Sequence, residues 1–327
     1  MRMLRALLGF FLLYPCFGTM TLADHGERNM LRAPISMRDQ FPAALIHSLG
    51  ELQSPQAIPT GDIELQTDFT WSNTFAWKRD HYLFDGETRV AQFEINRGFS
   101  PTLELGIAAG IVWRGGGVLD DVIENWHDFF NLPQGNRTHF AQDQILFESL
   151  GSNGADFDYQ ESGIEFSNTL LKAKQKLSQN GSAWQYAVAG ELTLPTGTDF
   201  QQEGLNVGIG AFAERDYDWG TVSTGAWAVY LGDQSFAGIE YVHVSPQLFA
   251  QAAFLCTDSL ALHLGVYGRG PLLKNLTGFP DYVMYLDTGV SYRISDQTRI
   301  EFLVRENPVG SKGTPDISGL VGVRVAL

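Results

Sequence analysis

Cysteine is nearly absent from this 327-residue chain: Cys16 and Cys256 are the only two. Cys16 falls in a leader-like segment, so a single cysteine remains downstream and no internal disulfide is available to hold the fold. Long apolar runs are missing too. Beyond the N-terminus no run of about 18 apolar residues occurs, so no helical membrane span is expected, although 44% of the residues are hydrophobic. Basic residues are scarce, 22 Lys and Arg against 37 Asp and Glu, for a net charge of −15. A chain this acidic has no electrostatic footprint for nucleic acid. Its stability must come from a closed hydrogen-bonded ladder or a large core.

What is present begins with a leader. Arg2 and Arg5 form a basic start, Leu7 to Leu13 an apolar stretch, and Thr21-Leu22-Ala23 a small-x-small cleavage site. Residues 1–23 therefore read as a secretory signal peptide. Leu13-Tyr14-Pro15 ahead of Cys16 lacks the small residues of a lipidation site. Residues 24–60 show no alternation. They read as an N-terminal arm with one short helix around Phe41 to His47, ended by Pro55 and Pro59.

From residue 61 onward the pattern alternates. Ile63, Leu65, Thr67, Phe69 and Trp71 face one way, while Asp62, Glu64, Gln66, Asp68 and Thr70 face the other. The same two-faced pattern marks strands near 61–72, 84–98, 102–113, 159–172, 183–194, 205–215, 220–231, 237–254, 259–269, 282–294, 298–306 and 316–327. Short connections alternate with mostly longer ones, and the polar faces carry Gly, Ser and Ala beside charges. Trp71, Phe99, Trp113, Trp184, Tyr217, Trp219, Tyr230, Tyr282 and Tyr292 gather near strand ends, as interfacial girdles do. The expected fold is all-β: one antiparallel up-and-down transmembrane β-barrel of about twelve strands over 61–327, in a bacterial outer membrane. An even strand count puts both ends of the sheet on the short-turn, periplasmic side. A soluble sandwich or lipocalin-like barrel is the alternative, with the apolar face turned inward.

The loop at 114–158 is the long exception. Val118, Leu119, Val122, Ile123, Trp126, Phe129 and Phe130 share one helical face, which predicts a helix near 118–130. Three glycines, Gly115 to Gly117, precede it and suggest a hinge. Its acids would be repelled by an anionic lipopolysaccharide surface. The helix is thus expected to pack on protein as a lid, with Arg114, Asp120, Trp126, His127, Asp128 and Arg137 as the residues of interest.

RDQFP at 38–42, SNTFAW at 72–77, DGET at 85–88, WRGGG at 113–117, WHDFF at 126–130, GNR at 135–137, LPTG at 194–197 and TPDIS at 314–318 resemble a bacterial family known only as a domain of unknown function. The resemblance spans nearly the whole chain after the leader. It implies an exported barrel and carries no activity, cofactor or site residue with it.

Constellations that could carry chemistry are few. Glu124 and His127 share a helical face, but di-iron sites need that motif twice, so no metal is expected. His243-x-Ser245 resembles the pair of outer-membrane phospholipases, which faces lipid. Strand parity here turns both residues inward, and no catalytic residue is assigned. The triple glycine lacks the lysine and hydroxyl of a phosphate loop, and no cofactor is expected. The predicted lumen is more informative. Glu64, Asp68, Glu94, Glu104, Glu165 and Glu191 come from the first five strands. Arg269, Arg293, Arg299, Arg305 and Arg324 come from the last four, with Asp287 and Glu301 among them, and His243, Ser245 and His263 complete the lining. Such charges either pair across a filled interior or set a transverse field along a water path. The leading expectation is a narrow, non-enzymatic channel or binding barrel for a small polar or charged solute, with membrane lipid and lipopolysaccharide outside. An enzyme acting on lipid or lipopolysaccharide and a structural or adhesive barrel stay open, as does the oligomeric state.

Overall fold

The computed structural model describes residues 30–327 except 132, 133, 135, 151–155, 180, 199–203, 233, 234, 237, 238, 275 and 309–312. The expected signal peptide and the first residues of the arm lie outside the described residues.

The first three strands are β1 (Ile63–Lys78), β2 (Tyr82–Gly98) and β3 (Leu103–Gly115). Within the long loop come β4 (Leu146–Leu150) and β5 (Asp156–Tyr159), then β6 (Gly163–Phe166) and β7 (Thr169–Lys176). β8 (Gln185–Leu194), β9 (Asn206–Tyr217) and β10 (Gly220–Tyr230) precede a small hairpin of β11 (Ser235–Phe236) and β12 (Ile239–Glu240). The last five are β13 (Val244–Leu255), β14 (Leu260–Arg269), β15 (Val283–Ser295), β16 (Thr298–Glu306) and β17 (Ile317–Ala326). β6 and β7 both pair with β3 and form one broken stave. Counted so, twelve antiparallel staves close where β1 pairs with β17, from Glu64↔Ala326 to Asn73↔Ile317. Closure leaves no open edge.

Side-chain parity decides which face is which. Phe69, Phe93, Ile95, Ile107, Ile209, Leu248, Phe302 and Val321 are exposed on the outside, while Glu64, Gln66, Asp68 and Thr70 are buried within. A soluble barrel would show the reverse. The exterior aromatics form two groups. Phe99, Tyr186, Trp219 and Tyr292 stand exposed at the short-turn end, and Tyr230 and Tyr282 at the long-loop end.

Three boundaries differ from the pattern-based expectation. β1 and β2 run through 73–83, expected as a loop, and meet in a tight turn at 79–81 with Asp80 in the left-handed region at φ 63°. Alternation fails there because both faces are covered: Asn73, Thr74, Phe75 and Ala76 are all buried. Tyr82 to Asp85 pairs with β4, which pairs with β5, so the mouth carries a small sheet. The stave expected at 159–172 starts at Gly163 and reaches Lys176, broken at Ser167-Asn168. There Asn168 donates to Ile46 O (3.2 Å) and accepts from Gly197 N (2.9 Å). The stave expected from 237 begins at Val244.

The interior is filled by the N-terminal arm. Leu31 packs with Leu255 and Ala261 near the short-turn end. Ile35 and Met37 lie on Leu303 and Leu320, and Phe41 reaches Phe84 and Phe279 at the long-loop end. One helical turn, Pro42–Leu45, reverses the chain. Leu49 and Leu52 then descend among Phe212, Trp227 and Phe249. Gly50 is required here, since a Cβ would stand 2.4 Å from Trp227 Cγ. The arm leaves at Thr60, whose bridge to Gly98 is the one β-bridge joining arm to wall among the described residues.

Candidate functional site in the lumen

Alternation along each stave turns every second side chain inward, and in the first nine staves most charged ones are acids. Glu64, Asp68, Glu94, Glu104, Glu165 and Glu191 are all buried inside, as are Ser245, His263, Arg269, Asp287, Arg299, Glu301 and Arg305. Arg324 is largely covered and reaches Glu301 at 2.7 Å. Arg293 sits at the short-turn rim, donating to Asp258 O (2.6 Å). His243 does not line the lumen. It is exposed in the bend before β13, where its carbonyl accepts from Leu231 N and strand parity no longer applies. Ser245 points inward from β13 and His243 does not, so the two make no pair.

The wall charges are organised by the arm. Arg38 donates to Ser48 O (2.9 Å) and Leu49 O (2.7 Å), forks onto both Glu191 oxygens (3.1 Å each), and meets Glu51 at 3.3 Å. One guanidinium thus ties the rising limb, the descending limb and the wall. Asp39 accepts from Arg269 Nε (2.7 Å), the Tyr285 hydroxyl (2.8 Å) and Phe41 N (3.0 Å). Arg305 pairs with both Asp287 oxygens (2.7 and 2.8 Å) and donates to Met37 O (2.6 Å). Arg299 donates to Ala33 O (3.0 Å) and pairs with Glu301. Gln251 clamps Ile35 through its N–H (2.9 Å) and carbonyl (2.7 Å), with His263 behind it at 3.1 Å. On the opposite wall Glu104 accepts from Ile58 N (3.1 Å), and Trp227 donates to Glu51 O (2.8 Å).

The charge map is more mixed than a two-sided field. Lys172 and Lys174 on β7 face Glu94 (2.6 Å) and Glu104 (2.8 Å). The expected stave end at 172 left Lys174 outside the strand. The arm residues Arg38, Asp39 and Glu51 carry no periodic signal at all. Their one mark in the sequence is that Arg38 and Asp39 open the RDQFP motif.

Above the lumen, a helix spans Leu119–Phe130. Glu87 accepts from Leu119 N (2.5 Å) and from Trp71 Nε1 (2.6 Å) at its start. A Cβ on Gly117 would collide with that Glu87 carboxylate, so glycine is needed here for close approach. Arg137 joins Asp120, Asp316 and Asn73 Oδ1 (2.8 Å), with its guanidinium over Phe75. Arg114 is buried in the wall against Glu165 at 2.5 Å. The expected burial of the apolar face fails. Ile123 is 4% exposed, but Val122 is 58%, Trp126 51% and Phe129 81% exposed. Phe41, Phe84, Phe147 and Phe279 pack together in the core at the long-loop end, and of the helix face described only Ile123 is buried. Asp128 is exposed and accepts from Gln134 (2.7 Å), and His127 is half-buried. Among the described residues no cluster of three His, Cys, Asp or Glu is placed to hold a metal. A cleft at the short-turn end, lined by Met30, Ala33, Glu64, Arg299 and Arg324, has no room for a water-sized sphere.

A closed twelve-stave barrel with an apolar exterior and a charged interior has the fold of outer-membrane channels. The COG4313 outer membrane channel from Pseudomonas putida F1 superposes with a TM-score of 0.57 at 12% identity, over 84% of this chain and 98% of that one. The NanC porin gives 0.47 at 5% identity, over 81% and 100%. The P. putida toluene transporter TodX gives 0.39 at 12%, over 88% and 91%. Among curated proteins none matches the sequence. The chain belongs to the DUF3187 family of proteins of unknown function, whose pattern it matches over residues 11–326.

Proposed function

We propose that this protein is a non-enzymatic outer-membrane channel for a small polar or charged solute, held shut by its own N-terminal arm. The observation that carries the reading is the arm's path. Its limbs stand at the short-turn end at Leu31 and Thr60, and among the described residues its one β-bridge to the wall is Thr60↔Gly98, every other tie being a side-chain hydrogen bond, an ion pair or an apolar contact. The arm can therefore withdraw as a hairpin without breaking the ladder that closes the barrel. Export by the signal peptide to the outer membrane, with lipid and lipopolysaccharide outside, belongs to the same reading. The likeness to outer-membrane channels supports it at the level of fold.

The enzyme alternative loses its candidate pair, because His243 is exposed at the mouth while Ser245 points into the barrel. A structural barrel is favoured by one observation, the continuous aromatic and aliphatic core between arm and wall. Planar-bilayer recording decides between them. The intact protein is expected to be mostly closed, and a variant with a weakened arm to show stepwise conductance. A correctly assembled barrel that stays silent with a weakened arm refutes the channel and leaves the structural barrel.

A further inference from the structure

We propose that Arg269, Tyr285 and Tyr267 form a carboxylate-binding subsite at the long-loop end of the lumen, in which Asp39 stands where the carboxylate of a small hydroxylated solute binds. The inference rests on the plugged-channel reading and deepens it by naming the solute class.

Arg269 is fully buried, and its two terminal nitrogens are held by the wall's own connections. They donate to Gly270 O (3.1 Å) and Gly313 O (2.8 Å). Only Nε is given to the arm, as an ion pair with Asp39 at 2.7 Å in which both side chains are wholly buried. The Tyr285 hydroxyl donates to the other carboxylate oxygen at 2.8 Å. When the arm withdraws, this guanidinium stays in place and loses its carboxylate. A fixed cation that has lost its counter-charge, beside a hydroxyl in a confined lumen, attracts an anion. A charged N–H from Nε beside the Tyr285 hydroxyl gives one donor for each oxygen of a carboxylate. Arg305 does not compete for it, because its charge is committed to Asp287.

Independent of Asp39, the same wall holds polar groups that the arm leaves unused. The Tyr267 hydroxyl is buried and has no hydrogen-bond partner among the described residues, and neither amide atom of Gln247 has one. Tyr267 lies two residues before Arg269 on the same stave face, and Gln247 is the cross-strand partner of Arg269. Buried polar atoms are normally satisfied. These two offer donors and acceptors to a body larger than an aspartate side chain and bearing hydroxyls. A neutral polyol would leave Arg269 unpaired, and a cation would be repelled by it.

The test uses the full chain in detergent with Asp39→Ala, and Asp39→Asn in parallel. Sodium gluconate is titrated against sodium chloride at matched ionic strength and against sorbitol. Gluconate is expected to raise the Tm of Asp39→Ala saturably, at concentrations about ten-fold or more below those at which chloride acts. Sorbitol is expected to have no effect. The shift is expected to vanish in Asp39→Ala/Arg269→Gln and in the wild-type chain, where Asp39 holds the site. No gluconate-specific shift in whichever folded variant, Ala or Asn, overturns the subsite. Bilayer recording separates the two readings. Gluconate binding in a variant that never conducts upholds the subsite and refutes the channel. Conductance without any gluconate-specific binding upholds the channel and refutes the subsite.

Discussion

Arg38→Met isolates the contribution of the arm's central fastening. Methionine keeps most of the aliphatic stem and removes the charge. Four partners lose their donor: Ser48 O, Leu49 O, Glu191 and Glu51. Glu51 retains Lys172 at 3.3 Å, whereas Glu191 is left with Gln53 at 3.4 Å. Removing one partner of a buried ion pair costs about 3–5 kcal/mol, because the other charge stays buried. At about 1.4 kcal/mol per factor of ten, the population with an undocked arm rises roughly a hundred- to several-thousand-fold. Hydrogen exchange followed by mass spectrometry reads this directly. Amides in 31–58 are expected to exchange faster by up to that factor, while the ladder from β1 round to β17 keeps its protection. Loss of protection in arm and ladder together would refute the reasoning. It would mean that arm and wall unfold as one unit and that the arm is core rather than plug.

The remaining predictions test the seat of the arm, the loop helix and the orientation. Gly50→Ala is expected to destabilise the docked arm by about 1–3 kcal/mol, since the indole of Trp227 blocks the added methyl; thermal unfolding of the purified barrel measures it. Ile123→Ala should cost about 2–5 kcal/mol of loop-helix stability, and Phe129→Ser less than about 0.5 kcal/mol, because the first side chain is buried and the second is 81% exposed; comparable costs in proteolysis of the loop would contradict the exposed face. Arg137→Met is expected to free the helix start by removing its ties to Asp120 and Asp316, seen as faster amide exchange in 119–130 with the barrel Tm unchanged. Cys256 follows β13 at the short-turn end. A membrane-impermeant thiol reagent should miss it in intact cells and label it after outer-membrane permeabilisation, and the opposite result would invert the barrel.

The barrel itself was legible in the sequence because its physics is local. A stave that divides lipid from lumen must alternate, and Ile63 to Trp71 or Leu260 to Val266 show that alternation without reference to anything distant. The helix at 119–130 was legible for the same reason, through its 3.6-residue period. Legibility stopped wherever a side chain's surroundings come from elsewhere in the chain. Residues 73–83 lost their alternation because both faces are covered. Lys174 fell outside its expected strand because the broken stave runs on to Lys176. The exposed helix face could not be foreseen, since the helix is seated by its polar start, where Arg137 ties Asp120 to Asp316 in the last loop of the chain. Above all, the arm has no period to read. Its position is set by single long-range partners, Arg38 with Glu191 and Asp39 with Arg269, 153 and 230 residues apart. Alternation fixes which way each wall charge points. Only the closed tertiary structure decides that those charges are answered partly by one another across the wall and partly by a folded segment of the same chain.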